Sequence, residues 1–181
     1  MRLFVAVPVP EALGRALFDA ARPYETNLPL RWVPLENLHL TTLFLGDGWT
    51  PAQAEMLALR IRAGLPELSA FEAPVEAIDL FPDGRNPAVL AALFGRNLML
   101  QALHDEVWQL LKGVEGVDKP RQRFRPHISL ARPRGRPATP PSAVELADAD
   151  LWLPVEEVVL YRSDFRPEGV RYRPLARGRL A

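Results

Sequence analysis

Apolar residues recur along the chain with two spacings, one typical of helices and one typical of strands. Helical spacing begins at three places: at Glu11, after Thr50-Pro51 and at Asn97. Thr50 suits an N-cap, and Pro51 suits the first position of a helix. The predicted helices cover residues 11–21, 50–65 and 97–113, and the predicted strands cover residues 1–7, 38–45, 71–80, 88–94, 124–131, 155–162 and 170–175. Strands 71–80 and 88–94 are expected to form a hairpin across the turn-rich residues 82–87. Helices mixed with hairpins predict an α+β fold, largely antiparallel.

The composition is that of a globular protein. Its 181 residues are 48% hydrophobic and 24% charged, which predicts a single domain over residues 1–181, compact or made of two small lobes, and excludes a disordered chain or a coiled coil. The absence of cysteine excludes disulfides, thiolate metal sites and a cysteine nucleophile. Apolar runs are far shorter than the roughly 20 residues of a membrane-spanning helix, and the N-terminus lacks the features of a signal peptide. We therefore expect a cytoplasmic protein without a membrane segment.

Charge is balanced overall but is unevenly distributed. Residues 1–118 contain 9 Lys and Arg against 15 Asp and Glu, whereas residues 119–181 contain 13 against 7. The basic residues are densest in residues 119–136, which contain seven cations and no acid. Such a segment on a neutral protein favours a local anionic ligand over duplex DNA bound across the whole surface. A solvated stretch rich in Arg and Pro would have the same composition, so charge alone leaves both interpretations open.

A short motif that occurs twice is the most informative feature. His39 and Thr41 form one H-x-[ST] triplet, and His127 and Ser129 form another 88 residues later, each in a predicted strand. Side chains two residues apart in a strand point to the same face, so each histidine lies beside its hydroxyl residue. If the chain is two similar lobes, the two strands can face each other across a pseudo-dyad. Two imidazoles and two hydroxyls then line one cleft.

This set of side chains suits phosphoryl chemistry. Each hydroxyl can donate a hydrogen bond to a phosphate oxygen. One neutral imidazole can take a proton from an attacking water, and the other, protonated, can give one to the leaving oxygen, since a histidine pKa of about 6.5 makes both states available. Nearby cations can balance the phosphate charge without a metal. His104, the third histidine, has no partner motif and is expected at the surface or boundary of the third helix.

The sequence resembles a known family: the RNA 2′,3′-cyclic phosphodiesterases, also called 2′-5′ RNA ligases, of the two-histidine phosphoesterase superfamily. The similarity covers nearly the whole chain, through the stretches RLFVAVP, ENLHLTTLFLG, FRPHISLAR and VVLYRSDF and the later Gly169 and Tyr172. The tetrads His39–Thr42 and His127–Leu130 resemble the family's diagnostic pair of motifs. Ser129 stands where threonine is commoner, and a serine also supplies the hydroxyl donor.

The resemblance implies a bilobal α+β fold with two mostly antiparallel sheets, outer helices and a pseudo-two-fold cleft. It implies metal-independent opening of 2′,3′-cyclic phosphates at RNA ends to 2′-phosphates, and reversible joining of tRNA-like halves through a 2′-5′ bond. The resemblance also implies that His39, Thr41, His127 and Ser129 are catalytic. We expect His127 to activate water and His39 to protonate the 3′ oxygen, an order that the sequence does not fix. No cofactor or metal is implied, and the expected state is a monomer that acts on RNA ends.

Two arginines are candidate substrate-binding residues. The resemblance favours Arg132, although an unbroken strand would turn this side chain away from His127 and Ser129. Pro133 follows directly, so the strand could end there and the alternation would not hold. Arg125 shares the alternation of His127. Either arginine could equally be a solvated charge at the rim of the cleft.

Two other functions fit the same residues. One is a phosphodiesterase for a small cyclic nucleotide, such as a cyclic phosphate on an ADP-ribose derivative; the basic residues 119–136 weakly favour the longer RNA substrate. The other is a non-catalytic module that recognises RNA ends through the same cleft and needs no imidazole pair.

An aromatic residue such as Phe4 could stack on a nucleobase, although its place in the first strand favours the core.

Overall fold

The computed structural model describes residues 1–26, 28–82, 87–135, 141–146 and 151–181, and these residues form three α-helices and eleven strands. The helices are α1 (Glu11–Ala21), α2 (Pro51–Arg62) and α3 (Leu98–Leu111). The strands are β1 (Arg2–Pro8), β2 (Leu30–Trp32), β3 (His39–Gly46), β4 (Phe71–Pro74), β5 (Ala77–Phe81), β6 (Val89–Leu93), β7 (His127–Pro133), β8 (Val144–Glu145), β9 (Trp152–Val155), β10 (Glu157–Arg166) and β11 (Gly169–Arg179).

The helices lie close to where the sequence predicts them. A capping box fixes the start of α2: the Thr50 hydroxyl accepts from the Gln53 backbone N–H, and the Gln53 side chain accepts from the Thr50 backbone N–H. At the start of α3 the Asn97 side chain accepts from the Leu100 backbone N–H. The buried faces of all three helices join one hydrophobic core. Among the described residues no helix has both the length and the apolar character needed to cross a membrane.

Nine strands form one antiparallel sheet whose order is symmetric about its centre. The order is β11-β10-β1-β3-β7-β6-β5-β8, with β2 also paired to β7. Each half therefore places one histidine strand at the centre, flanked by β1 in the first half and by β6 in the second. β4 and β9 form a second, two-stranded antiparallel sheet. The predicted α+β class with antiparallel sheets is confirmed.

The two halves meet at a single residue pair in the middle of the large sheet. Leu40 of β3 pairs with Ile128 of β7, and both side chains are fully buried in the core. Beyond this pair β3 leaves β7, and β2 pairs with residues 131–133 instead. The histidine strands are therefore hydrogen-bonded neighbours at the centre of one sheet, where the symmetric strand order relates the two halves.

Each histidine strand contains a β-bulge at the same distance from its histidine. The bulge residues are Thr42 and Leu43 in β3, and Leu130 and Ala131 in β7. All four side chains are buried, so strict alternation of faces stops at this point. The next residue, Phe44 in β3 and Arg132 in β7, is exposed. After each bulge, the side chain of the next residue therefore lies on the same face of the sheet as the histidine.

The predicted hairpin is wrong in its first strand, residues 71–80. Phe71–Pro74 form β4, which pairs with β9 in the small sheet, and only Ala77–Phe81 form β5, which pairs with β6. The chain changes sheets at two residues: the Val75 N–H donates to the Leu151 carbonyl, and the Glu76 N–H donates to the Leu93 carbonyl. Buried residues lie on both sides of this switch, Ala73 and Val75 before it and Ile78 and Leu80 after it, so the sequence resembles one strand.

Other boundaries differ from the prediction. β7 begins at His127 instead of residue 124, since Pro126 has no N–H to contribute to a ladder. The last two strands are longer than expected, and β2, β8 and β9 have only two to four residues and were not predicted. Residues 83–86 of the predicted turn and residues 136–140 of the Pro- and Arg-rich loop lie outside the described residues.

The central pair gives a stability prediction. Ile128→Ala should lower the free energy of unfolding by about 2–5 kcal/mol, because it removes fully buried methyl groups where the two halves join. Urea denaturation followed by circular dichroism measures this change. Leu59→Ala is the control, since Leu59 is 61% exposed and its truncation should change stability by less than about 0.5 kcal/mol. An equal effect of the two substitutions would contradict the role assigned to the central pair.

Candidate active site

The four residues of the repeated motif share one face of the central sheet. Leu40 and Ile128 point into the core, so the residues on either side of them point to the opposite face, and these are His39, Thr41, His127 and Ser129. In the antiparallel register each histidine lies opposite the hydroxyl residue of the other motif. The two histidines are diagonal neighbours, for which typical separations are about 7–8 Å. That spacing leaves room for a phosphate between the rings.

Both imidazoles are held by the same hydrogen bond. His39 Nδ1 lies 2.7 Å from the backbone carbonyl oxygen of Asn37, and His127 Nδ1 lies 2.8 Å from that of Arg125. A carbonyl oxygen only accepts, so Nδ1 carries the hydrogen in each ring. The other ring nitrogen, Nε2, is then a proton acceptor in the neutral ring and a donor in the charged ring. The local backbone therefore fixes the tautomer at both sites.

Aromatic rings enclose His39. Phe4 of β1 lies 4.9 Å from the His39 ring between centroids, Tyr172 of β11 contacts it edge-on at 5.0 Å, and Tyr161 of β10 lies at 6.4 Å. Phe4 is itself only 4% exposed and stacks on Tyr161. The core interpretation of Phe4 is therefore correct, and its ring supports the imidazole. The Asn37 side chain donates to the Val170 carbonyl, which ties the turn before β3 to β11.

His127 has a matching but more open environment. The Phe81 ring at the end of β5 stacks on it, with centroids 4.2 Å apart. The Arg125 guanidinium lies 4.5 Å from the centre of the same Phe81 ring and donates to the Pro82 carbonyl. Arg125 thus holds His127 through its backbone and places a positive charge nearby through its side chain.

Both imidazoles have a pKa below the ordinary histidine value of 6.5. Burial is the largest cause in each case, because it disfavours the charged ring, and the hydrogen bond to the carbonyl acts in the opposite direction. The charge of His127 further lowers the pKa of His39, and the charge of Arg125 further lowers that of His127. The repulsion between the two rings shows that they share one electrostatic environment.

Arg132 reaches the site face because of the bulge in β7. The strand does not end before Pro133, so simple alternation would have turned Arg132 away; the extra residue at Leu130 and Ala131 reverses that direction. Burial raises the pKa of the Tyr172 hydroxyl, while the charges of Arg132 and Arg2 act to lower it. Both guanidinium charges therefore act on Tyr172, one of the aromatic residues around His39.

The third histidine has a structural place between α3 and β3. His104 Nδ1 lies 2.6 Å from the carbonyl oxygen of Thr42, a residue of the β3 bulge. The His104 ring stacks on Phe124, with centroids 4.5 Å apart and the planes within 4°. This residue lies at the boundary of the helix, as expected, and it links the bulge to the segment that precedes β7.

The donor set of the site supports acid–base chemistry. The two Nε2 atoms and two hydroxyls converge on one face, and Arg125 and Arg132 supply positive charge. Within the part of the chain that the structure describes, no three His, Cys, Asp or Glu side chains form a group suited to a metal ion. The arrangement can bind an oxyanion, accept a proton on one side of it and donate a proton on the other.

Sequence reasoning did not assign site positions to Phe81, Tyr161 or Arg2. Tyr161 lies near His39 and Phe81 stacks on His127 only because distant strands are neighbours: β10 lies beside β1, and β5 lies beside β6. The charge of Arg2, on β1, acts on Tyr172 of β11 across the same sheet. Within their own strands Tyr161 and Phe81 look like ordinary half-buried aromatics. Tyr172 is one of the residues similar to the family, but the sequence around it in β11 does not indicate its contact with His39.

The chain matches a family model over most of its length. A model of the 2′-5′ RNA ligase superfamily matches residues 9–165, and the chain belongs to this superfamily. The family resemblance inferred from the motifs is therefore confirmed.

Curated relatives match this chain over nearly its whole length. An RNA 2′,3′-cyclic phosphodiesterase from Thermus thermophilus is 36% identical to this chain, in an alignment that covers 97% of this chain and 88% of the relative. A protein with the same name from Archaeoglobus fulgidus is 27% identical, with 97% and 98% covered.

Solved structures share the fold. The crystal structure of TT0787 from Thermus thermophilus superposes with a TM-score of 0.77 at 30% identity, covering 99% of this chain and 97% of that one. E. coli LigT complexed with 3′-AMP gives a TM-score of 0.79 at 23% identity, covering 99% and 98%, and this likeness concerns the fold.

The shared hydrogen bond to a carbonyl gives a spectroscopic prediction. In the free protein above neutral pH, His39 and His127 should both be Nδ1–H tautomers, and each should titrate below pH 6.5. Long-range ¹H–¹⁵N NMR spectra measure tautomer and pKa together, with His39→Ala and His127→Ala used to assign the signals. An Nε2–H tautomer at either ring would contradict the geometry described above.

Proposed function

We propose that this protein is an RNA 2′,3′-cyclic phosphodiesterase that opens cyclic phosphate ends to 2′-phosphates with two histidines as acid and base. The main support is that two imidazoles with the same backbone hydrogen bond lie on one face of the sheet, at a spacing that fits a phosphate. The names of the relatives support it, because five of the curated relatives share that name and align over more than four-fifths of this chain.

In the proposed reaction the cyclic phosphate lies between the two rings. Neutral His127 accepts a proton from a water molecule at Nε2 as the water oxygen bonds to phosphorus. The bond from phosphorus to the 3′ oxygen breaks, and the Nε2–H of charged His39 gives its proton to that oxygen. The products are a 2′-phosphate and a free 3′ hydroxyl. Water reaches His127 more easily because the surroundings of His39 are filled by aromatic rings.

Hydroxyls and arginines stabilise the phosphate in this proposal. Thr41 and Ser129 lie opposite the histidines on the site face, so each hydroxyl can donate to a non-bridging oxygen. Charge that develops on these oxygens is stabilised by donors already fixed by the sheet. Arg132 and Arg125 lie at opposite ends of the β7 segment, and their charges act near Tyr172 and Phe81 respectively.

The same site supports the reversible ligation implied by the family. A 5′ hydroxyl takes the place of water, loses its proton to His127, and bonds to phosphorus while the 3′ oxygen leaves. The product is a 2′-5′ phosphodiester with a free 3′ hydroxyl. Chemistry and geometry are unchanged between the two reactions, because only the attacking oxygen differs.

Substitution of either histidine tests the proposal. His39→Ala and His127→Ala should each lower kcat by about 10²–10⁴-fold, because each removes one proton-transfer group. The measurement is the release of 2′-phosphate from an RNA oligonucleotide with a 2′,3′-cyclic phosphate end. His104→Ala is the control and should cost less than about tenfold. Added EDTA should leave the wild-type rate unchanged. Full activity of His127→Ala would refute the mechanism.

The lowered pKa values predict the pH dependence. The base must be neutral and the acid charged, so kcat/KM should be bell-shaped, with both limbs reporting the coupled pair in the free enzyme. Because burial lowers both pKa values, the charged acid is lost as pH rises from below 6.5, and the optimum should lie on the acid side of 6.5. A bound phosphate stabilises the charged ring, so the kcat optimum should lie at higher pH. Identical kcat and kcat/KM profiles with an optimum above pH 8 would contradict this.

A further inference from the structure

A cavity of about 520 Å³ opens directly beside His127. Its walls come from the ends of β5 and β6, the start of α3 and the segment before β7. Phe81, which stacks on His127, and Arg125, whose carbonyl holds that ring, both line it. The cavity is therefore continuous with the surroundings of one catalytic imidazole. Its volume falls in the range of pockets that bind small organic ligands, about 300–1,000 Å³.

The lining combines cations with apolar surface. Arg96, Arg123 and Arg125 contribute three guanidinium groups, and the described residues that line the cavity include no carboxylate. None of the three forms an ion pair with a described carboxylate, so their charge is available to a ligand. Phe124 lines one wall, and Leu98 is 83% exposed at the rim. A phosphodiester and a nucleobase match these two kinds of surface.

The Phe124 wall is fixed by the third histidine. His104 stacks on Phe124 in parallel planes, and its Nδ1 is held by the Thr42 carbonyl in the central sheet. An aromatic ring fixed in this way offers a flat surface at low entropic cost. This gives His104 a positioning role that its own motif context did not indicate.

The symmetry of the sheet supplies an internal comparison. A second cavity, of about 500 Å³, lies at the end of β1 and the start of α1, beside the residue that pairs with His39. The first cavity likewise includes the residue that pairs with His127, Leu93, and the start of the helix that follows its strand. The second cavity is lined by Glu156 and Glu157, and its single arginine, Arg177, is paired with Glu157. Of these two corresponding cavities, only the one beside His127 suits a polyanion.

We propose that the cavity beside His127 binds the ribonucleotide that carries the attacking 5′ hydroxyl in 2′-5′ ligation. This inference rests on the proposed function, in which His127 is the base. A nucleotide in this cavity lies on the side of the phosphate from which the base removes a proton. Arg96 and Arg123 bind its 3′ phosphodiester, and Phe124 and Leu98 contact its base. The 5′ hydroxyl gives its proton to His127 Nε2 and bonds to phosphorus, and the 3′ oxygen leaves with the proton of His39.

Variants of the two distal arginines test this assignment. Arg96→Ala and Arg123→Ala should each lower ligation of a 5′-hydroxyl RNA trinucleotide to an RNA with a cyclic phosphate end by about tenfold, through KM for the trinucleotide. Hydrolysis of the same cyclic phosphate RNA, and of a mononucleoside 2′,3′-cyclic phosphate, should stay unchanged. Arg96→Lys should restore part of the ligation. Arg15→Ala, an exposed arginine on α1 paired with Glu11, is the matched control.

The possible results separate this inference from the proposed function. Absence of hydrolysis of the RNA cyclic phosphate by the wild-type protein would refute the proposed function itself. Equal ligation by Arg96→Ala, Arg123→Ala and Arg15→Ala would overturn the cavity assignment and leave the proposed function intact. A loss confined to hydrolysis of the RNA cyclic phosphate would also overturn it, because the cavity would then bind the strand that ends in the cyclic phosphate. In the supporting case, the salt dependence of log KM for the trinucleotide also decreases by about 0.7 per arginine removed.

Discussion

The pairing of Leu40 with Ile128 is the contact on which the site depends. It joins two halves that are built alike, and it sets the faces of the residues on either side. Because each strand alternates, burial of these two side chains turns both histidines and both hydroxyls toward the open face. The core and the site are therefore two faces of one strand pair, and any change in register would move all four site residues together.

The backbone also decides the chemical state of the imidazoles. In each half the carbonyl two residues before the histidine accepts a hydrogen bond from Nδ1–H, and aromatic rings shield the imidazole from water. The first effect presents Nε2 to the substrate, and the second lowers the pKa. The halves differ in what lies beyond: tyrosines enclose His39, whereas His127 adjoins an open, basic cavity. Similar groups thereby acquire different access to solvent and ligand.

Features determined by neighbours in sequence could be predicted from the sequence. Capping residues located α2 and α3, and alternation placed each histidine beside its hydroxyl. Features determined by distant pairing could not. The direction of Arg132 depends on a bulge that is defined only against β6, and the break in residues 71–80 depends on a second sheet. Very short strands such as β2 carry too few residues to show a period.

The continuous sheet has a consequence for motion. Many enzymes assemble their catalytic groups by closing two domains about a hinge. Here the two histidines lie on adjoining strands of one sheet, so the pairing of those strands sets the position of one ring relative to the other. This arrangement brings the two rings together without the closure of two domains.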